Sequence, residues 1–110
     1  MSFSADFTGG IASLFHMRCF VYILYSESID CFYKGQTADI CERLKRHNQG
    51  YEKSTKRGVP WKLVWYTEKP NRSEAALLEH KLKNLSRSKT IEFIKKNIDG
   101  VVGPDVTPEA

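Results

Sequence analysis

The sequence predicts an α/β domain in which a small central three-stranded sheet is flanked by helices, in the order β-β-α-β-α-α. Two apolar segments, 19–25 and 31–36, are joined by the polar turn SESID, and this spacing predicts an N-terminal antiparallel hairpin. Residues 61–67 are rich in aromatic and β-branched side chains, which predicts the third strand. Apolar residues at helical spacing follow the last two strands and predict the helices.

The first strand is apolar on both of its alternating faces, which is typical of a central strand covered on both sides. In the second strand Tyr33 and Gly35 share one face, and Lys34 and Gln36 lie on the other. Glycine weakens a strand, so Gly35 indicates a bulge or a close backbone approach beside a site.

The first helix is predicted over about 39–49. Asp39 followed by Glu42 fits a capping box, and Gly50 fits the left-handed position after the helix end. A stripe at helical spacing is expected to pack on the sheet: Ile40, Leu44 and His47. Arg43 lies at the edge of this stripe, so we expect its side chain to be only partly in water.

Two further helices are predicted after the third strand. Ser73 is a good N-cap for the first of them, which runs to about Asn84. Its apolar face comprises Ala75, Leu78, Leu82 and Leu85. Glu79 is adjacent to that face, so its carboxylate is expected at the margin of the buried surface. The last helix, about 88–97, is predicted to present three residues to the core: Ile91, Ile94 and Ile98.

A chain of 110 residues can bury one core, which predicts a single domain with two tails. Residues 1–17 have phenylalanines without regular spacing and are predicted to be an N-terminal extension. The domain is predicted over 18–98, and residues 99–110, with prolines and glycines, as a flexible C-terminal tail. Met17 directly precedes the first strand, so whether residues 1–17 belong to the natural chain stays open.

The charge is concentrated in the predicted domain. Three acids lie in the tails, Asp6, Asp105 and Glu109, so residues 18–99 hold all 17 basic residues and 10 of the 13 acidic residues. A small basic body favours a polyanionic partner such as nucleic acid, because phosphate neutralisation releases counterions.

The three cysteines, Cys19, Cys31 and Cys41, contain no CxxC pair, so neither a disulfide framework nor a thiolate zinc site is indicated. They are predicted to be small buried residues of a protein in the reducing cytoplasm. No apolar run approaches the about 20 residues that a membrane-spanning helix needs. Residues 1–17 also lack the basic n-region of a secretory signal, so a cytoplasmic location without a membrane partner is expected.

Five side chains are candidates for chemistry: Tyr22, Tyr33, Arg43, His47 and Glu79. Each also has an ordinary interpretation, because the tyrosines could be sheet aromatics, the arginine a solvated base and the histidine a residue favoured by the helix dipole. The glutamate is harder to explain, since a carboxylate at the rim of an apolar stripe costs free energy unless it is paired or binds a cation. A structural pair between Glu79 and Arg43 is the alternative to a functional site.

Together and in this order, these residues resemble the GIY-YIG nuclease superfamily. Its first tripeptide corresponds to residues 20–22 (FVY) and its second to 33–35 (YKG), while its arginine, histidine and metal-binding glutamate correspond to Arg43, His47 and Glu79. The runs YxGxTxDxxxRxxxHN and RSEAxxLE carry a resemblance that extends from about 17 to 96. The chain is similar to small stand-alone bacterial members and, more distantly, to the N-terminal nuclease domain of the bacterial excision-repair incision subunit.

The resemblance implies a GIY-YIG nuclease-like fold that hydrolyses phosphodiester bonds with one divalent cation, Mg²⁺ or Mn²⁺. Glu79 would hold the metal, and Arg43 would offer a bidentate donor to the phosphate. Tyr22 or Tyr33 would take a proton from water with help from a cation, because a phenol has a pKa of about 10. Which tyrosine is the base stays open, and His47 would contact the other tyrosine or a phosphate oxygen.

Three positions depart from the family pattern. Phe20 replaces the first glycine of the signature, and Lys34 replaces an aliphatic residue on the face away from Tyr33. Gln36 stands where some members have a lysine thought to assist the base, which implies slower or differently assisted catalysis.

The predicted function is therefore a metal-dependent endonuclease acting on DNA, in repair or processing. Gly35 and three bases of the loop at 50–60, Lys53, Lys56 and Arg57, are predicted to bind the substrate. The alternatives are a nucleic-acid-binding module of the same fold that cuts little and a protein-interaction domain, and the five site residues together favour the enzyme. The substrate's structure, DNA against RNA, activity of the chain on its own and the oligomeric state stay open.

Overall fold

A computed structural model of the protein describes residues 18–102, which form the predicted small α/β domain. The sheet is antiparallel, with strand order β2-β1-β3. The elements follow the predicted order: β1 Cys19–Ser26, β2 Cys31–Thr37, α1 Ile40–Asn48, β3 Trp61–Lys69, α2 Arg72–Lys83 and α3 Arg87–Lys96. The predicted N-terminal extension, residues 1–17, lies outside the described residues.

β1 is the central strand, and its two faces build two separate cores. Val21 and Ile23 are fully buried on one face, where they pack with α2. Tyr22 and Leu24 are buried on the opposite face, where they pack with α1 and Trp61. Because a buried side chain of this size contributes about 1.5–3 kcal/mol, β1 anchors both layers of helices. The prediction of a strand covered on both sides is confirmed.

α1 begins and ends as its sequence predicts. The Asp39 carboxylate accepts a hydrogen bond from the Glu42 backbone N–H at 3.0 Å, which satisfies a donor that the helix itself leaves free. Gly50 follows the helix with φ +79°, a conformation that glycine adopts without strain. Between these two ends, the predicted stripe of Ile40, Leu44 and His47 faces the sheet.

The start of α2 differs from the prediction, in which Ser73 was the N-cap. The cap is Asn71, whose side-chain oxygen accepts a hydrogen bond from the Glu74 backbone N–H at 2.9 Å. Asn71 has the extended backbone that an N-cap requires, so the helix begins at Arg72 and Ser73 lies inside its first turn.

The end of the described chain corrects two expectations. Ile98 was predicted to face the core but is 72% exposed, because α3 ends at Lys96, before Ile98 is reached. Phe93 packs on Trp65 instead, with ring centroids 5.0 Å apart. Residues 99–102 were assigned to the flexible tail, yet Val101 forms a β-bridge with Trp65. The rest of that tail, 103–110, lies outside the described residues.

The expectation that all three cysteines are buried holds for Cys19 alone. Cys31 is exposed because it opens the edge strand β2, and Cys41 is exposed in the first turn of α1. Within residues 18–102, no helix is long and apolar enough to cross a membrane.

Candidate active site

Tyr22 and Tyr33 lie side by side on neighbouring antiparallel strands. Tyr22 is opposite Gly35 in the β1–β2 register, and Tyr33 is two residues earlier on the same side of β2. Their ring centroids are 6.3 Å apart. The two phenols thus lie on one side of the sheet. This side, which is covered by α1, is called the tyrosine face below.

His47 joins the two phenols from the last turn of α1. Its side chain is buried, and its Nε2 lies 3.0 Å from Tyr22 Oη, while its ring packs edge-on to Tyr33. Its Nδ1 lies 2.8 Å from Thr55 Oγ1. Burial lowers the pKa of His47 from its ordinary value, so the imidazole is neutral at physiological pH. The resemblance implied that His47 contacts the tyrosine that is not the base, or a phosphate oxygen. The tyrosine whose hydroxyl it contacts is Tyr22, and this contact by itself does not tell which tyrosine is the base.

The surroundings of Tyr22 make its phenolate costly. Burial is the largest cause that raises the pKa of Tyr22 above its ordinary value, and the charges of Tyr33 and Glu79 raise it further. The positive charge of Arg43 acts in the opposite direction. Tyr22 is thus protonated unless a cation or a proton acceptor comes close to its oxygen.

Gly35 is required by the position of the Tyr22 hydroxyl. A Cβ added at residue 35 would lie 2.6 Å from Tyr22 Oη and 2.8 Å from Tyr22 Cζ, distances that real side chains do not tolerate. The register between β1 and β2 is continuous at this point. Of the two roles that the sequence allowed for Gly35, a close backbone approach is therefore the one observed.

Arg43 is half-buried on α1, as its position at the edge of the apolar stripe predicts. Its Nε is buried and, within residues 18–102, has no hydrogen-bond partner. An unsatisfied buried donor costs about 1–3 kcal/mol, so this guanidinium is well suited to an anionic acceptor such as a phosphate.

Glu79 lies on α2, across the sheet from the tyrosines. The opposite side of the sheet, which packs on α2, is called the glutamate face below. Gln36 is opposite Val21 in the β1–β2 register, so its side chain lies on this side. Gln36 Nε2 donates to Glu79 Oε1 at 2.7 Å, and Lys83 Nζ lies 2.9 Å from Glu79 Oε2. The structural alternative, an ion pair between Glu79 and Arg43, is not what the structure contains.

The two faces meet at the outer edge of β2, because β2 is an edge strand of the sheet. The charge of Glu79 contributes to the raised pKa of Tyr22. Four of the five predicted site residues thus lie on the tyrosine face or on α1, which covers it, and Glu79 lies on the glutamate face.

The loop between α1 and β3 is attached to the tyrosine face. Its three predicted substrate-binding bases are exposed: Lys53, Lys56 and Arg57. Thr55, which lies between them, is buried by its contact with His47 and by the hydrogen bond from Trp61 Nε1 to its carbonyl at 2.7 Å. The loop therefore presents its charges beside the site on a fixed support.

Two residues in contact with the site were missed by the sequence analysis. Lys83 is four residues after Glu79, and this helical spacing could have revealed the ion pair. Thr55 carried no signal, because its contact with His47 depends on how the loop folds.

Glu79 suits a hard divalent cation only in part. Within residues 18–102 there is no cluster of three or more histidine, cysteine, aspartate or glutamate side chains. Mg²⁺, however, keeps several waters and binds through one or two carboxylates together with substrate phosphates. Gln36 adds no second ligand, because its amide turns Nε2 toward Glu79 and its Oε1 is buried. Among the five candidate side chains, Glu79 by itself would hold such an ion, with water and the substrate completing the coordination.

A three-stranded antiparallel sheet with paired phenols, a buried histidine and an arginine on one side and a carboxylate on the other defines a small nuclease-type domain. Residues 18–92 match the family model described as "GIY-YIG catalytic domain". The chain therefore belongs to the GIY-YIG family of nucleases.

Relatives of similar size come from several bacteria. The chain is 36% identical over 66 residues to the UPF0213 protein of Pediococcus pentosaceus, which covers 59% of this chain and 70% of that protein. It is 35% identical over 78 residues to the UPF0213 protein of Staphylococcus aureus, covering 70% of this chain and 94% of that protein. The solution NMR structure of a UPF0213 protein from Bacillus halodurans superposes with a TM-score of 0.51 at 33% identity, covering 82% of this chain and 92% of the other.

Proposed function

We propose that this protein is a metal-dependent endonuclease that hydrolyses phosphodiester bonds in DNA, in the cytoplasm and in repair or processing. The observation that carries the proposal is the arrangement of side chains around the edge strand β2. Arg43 Nε is a buried donor without a partner within residues 18–102, the Tyr22 hydroxyl is bound to His47, and Glu79 lies on the opposite side of the sheet. A structural core needs none of these arrangements.

The roles of the side chains follow from their chemistry. Arg43 would direct its guanidinium to the scissile phosphate, where negative charge grows in the transition state. Glu79 would hold one Mg²⁺ or Mn²⁺, which when bound polarises the phosphate and stabilises the leaving oxygen. Tyr22 and Tyr33 are the candidates for accepting a proton from the attacking water.

The basic loop would hold the substrate outside the chemistry. Lys53, Lys56 and Arg57 are exposed, sequence-independent contacts for phosphates. Neutralising all three should reduce the dependence of log Kd on log[salt] by about 2 to 3, since each contact with duplex DNA contributes about 0.9. An unchanged slope in binding titrations would remove these residues from the interface.

The second candidate is a nucleic-acid-binding module of the same fold that cuts little. One observation favours it, because both oxygens of Glu79 already accept hydrogen bonds, from Gln36 and from Lys83.

Cleavage assays on duplex, single-stranded and branched DNA, and on matched RNA, with Mg²⁺ or Mn²⁺ would decide between the candidates. Glu79→Gln should lower the cleavage rate about 10³-fold, because metal stabilisation of the transition state amounts to several kcal/mol. It should also abolish thermal stabilisation by Mn²⁺, which amounts to about 2.7 kcal/mol in the parent at 100 times Kd.

Glu92→Gln, an exposed glutamate on α3, is the matched control and should change neither readout. Parent protein that binds DNA but neither cuts any substrate nor responds to Mn²⁺ would establish the binding module instead.

A further inference from the structure

Three buried side chains form a chain of hydrogen bonds behind the site. Tyr22, His47 and Thr55 are each at most 2% exposed. Tyr22 Oη lies 3.0 Å from His47 Nε2, and His47 Nδ1 lies 2.8 Å from Thr55 Oγ1. Thr55 Oγ1 in turn lies 3.4 Å from the carbonyl of Glu52. Since a carbonyl can only accept, it fixes one end of the chain as an acceptor.

The number of protons decides which atom donates in each hydrogen bond of this chain. A neutral imidazole carries one N–H, and each hydroxyl carries one O–H, so three protons must find acceptors. With the proton of His47 on Nδ1, Tyr22 donates to Nε2, Nδ1 donates to Thr55, and Thr55 donates to Glu52. Every proton then has an acceptor.

The other tautomer leaves one proton without an acceptor. With the proton of His47 on Nε2, His47 donates to the Tyr22 oxygen and Thr55 donates to Nδ1. The Tyr22 hydroxyl has no second partner within residues 18–102, so its own proton would have no acceptor in the protein and would point to the site. The arrangement in which the protein accepts every proton is the more favourable one, which favours the Nδ1–H tautomer.

We infer that Thr55 is a positioning residue that holds His47 as the Nδ1–H tautomer, so that Tyr22 directs its proton to His47 and its lone pairs to the site. The inference rests on the proposed nuclease function for its consequence. A tyrosine that presents lone pairs can accept a proton from the attacking water while its own phenolic proton passes to His47 Nε2, which then becomes an imidazolium. A tyrosine that presents its O–H to the site can only donate. This chain of hydrogen bonds thereby selects Tyr22 over Tyr33 as the proton acceptor.

The backbone contacts of Thr55 make the side chain testable by itself. Its N–H donates to the Glu52 carbonyl at 3.1 Å, and its carbonyl accepts from Trp61 Nε1. Neither bond involves the hydroxyl, so Thr55→Val should keep the loop in place while removing the acceptor for Nδ1–H. Thr55→Ser keeps the hydroxyl and is the matched rescue.

Long-range ¹H–¹⁵N correlation spectra report directly which imidazole nitrogen carries the proton. They would be recorded near pH 8 on protein with His16→Gln and His80→Gln, in which His47 gives the only imidazole signals. The expected result is the Nδ1–H tautomer in the otherwise unchanged protein and in Thr55→Ser, and a shift toward Nε2–H in Thr55→Val. An Nε2–H tautomer with threonine at position 55, or an unchanged tautomer in Thr55→Val, would overturn the inference.

The spectra require no cleavage, so they separate this inference from the proposed function. If the protein is a nuclease, Thr55→Val should also lower kcat about 10- to 100-fold with KM little changed, and Thr55→Ser should restore it. If Thr55→Val does not fold, the inference is still tested, because an Nε2–H tautomer with threonine or serine at position 55 would overturn it.

Discussion

The tyrosine face and the glutamate face hold their functional groups in opposite ways. On the tyrosine face, Tyr22 and His47 are buried in a hydrogen-bonded chain that is also part of a hydrophobic core. On the glutamate face, Glu79 lies at the rim, and its ionic partner Lys83 has a side chain that is 53% exposed. The difference teaches that neutral polar groups can be integrated into the core when they bond to one another, whereas a charged carboxylate lies at the rim, where its ionic partner stays in contact with water.

The largest contrast between the faces should appear in stability. His47→Ala would create a cavity and leave the Tyr22 hydroxyl and the Thr55 hydroxyl with fewer partners, so the free energy of unfolding should fall by about 3 kcal/mol. Glu79→Gln should change it by about 0.5 kcal/mol or less, because Lys83 is 53% exposed and the new amide oxygen can still accept the hydrogen bond from Gln36. Urea unfolding of both variants measures the contrast, and equal losses would mean that Glu79 is a structural residue.

A smaller effect is expected where the tyrosine face meets the edge of β2. Gly35→Ala would press a Cβ against the Tyr22 hydroxyl, which His47 holds in place, at a cost of about 1–3 kcal/mol. Cleavage should be lost as well, because the hydroxyl must move. Gly50→Ala is the control, since its cost of about 1 kcal/mol comes from the positive φ and leaves the site intact. If both variants cleaved at the parental rate, the Gly35 contact would have no role in the chemistry.

The buried histidine should also make the tyrosine face sensitive to acid. Burial lowers the pKa of His47 in the folded protein, whereas in the unfolded chain it is about 6.5. As the pH falls below that value, the unfolded chain binds a proton that the folded protein does not, so the free energy of unfolding decreases. The decrease ends once the pH is below the pKa of His47 in the folded protein. Subtracting the stability–pH curve of His47→Gln from that of the parent isolates this contribution, and two parallel curves would contradict it.

The smallest change in stability is expected on the glutamate face. Lys83→Met removes an exposed ion pair and should cost less than about 0.5 kcal/mol. It also frees Glu79 Oε2, so Mn²⁺ should bind more tightly in titration calorimetry. Lys81→Met, on the same helix, serves as the reference variant. Weaker Mn²⁺ binding in Lys83→Met alone would show that the ammonium group supports the ion instead of competing with it.

Errors in the sequence analysis occurred where two local signals were equally good. Asn71 and Ser73 are both favourable N-caps, and only the path of the chain after β3 selected Asn71. Ile98 fits the period of α3, but the helix ends before it, and Phe93 takes the place on Trp65. Cys31 and Cys41 are exposed because residue type by itself does not specify which face a position occupies.

The sequence by itself determined the order of elements and the side of the sheet on which each tyrosine lies. Alternation with period two puts Tyr33 and Gly35 on one side of β2 whatever the rest of the chain does, and helical spacing puts Arg43 beside His47. Only the tertiary structure decided the partners of His47 and the contact between Glu79 and Gln36. Thr55 reaches His47 through a folded loop, and Gln36 reaches Glu79 across 43 positions of sequence. Such contacts depend on how loops and helices dock, and no local periodicity encodes that docking.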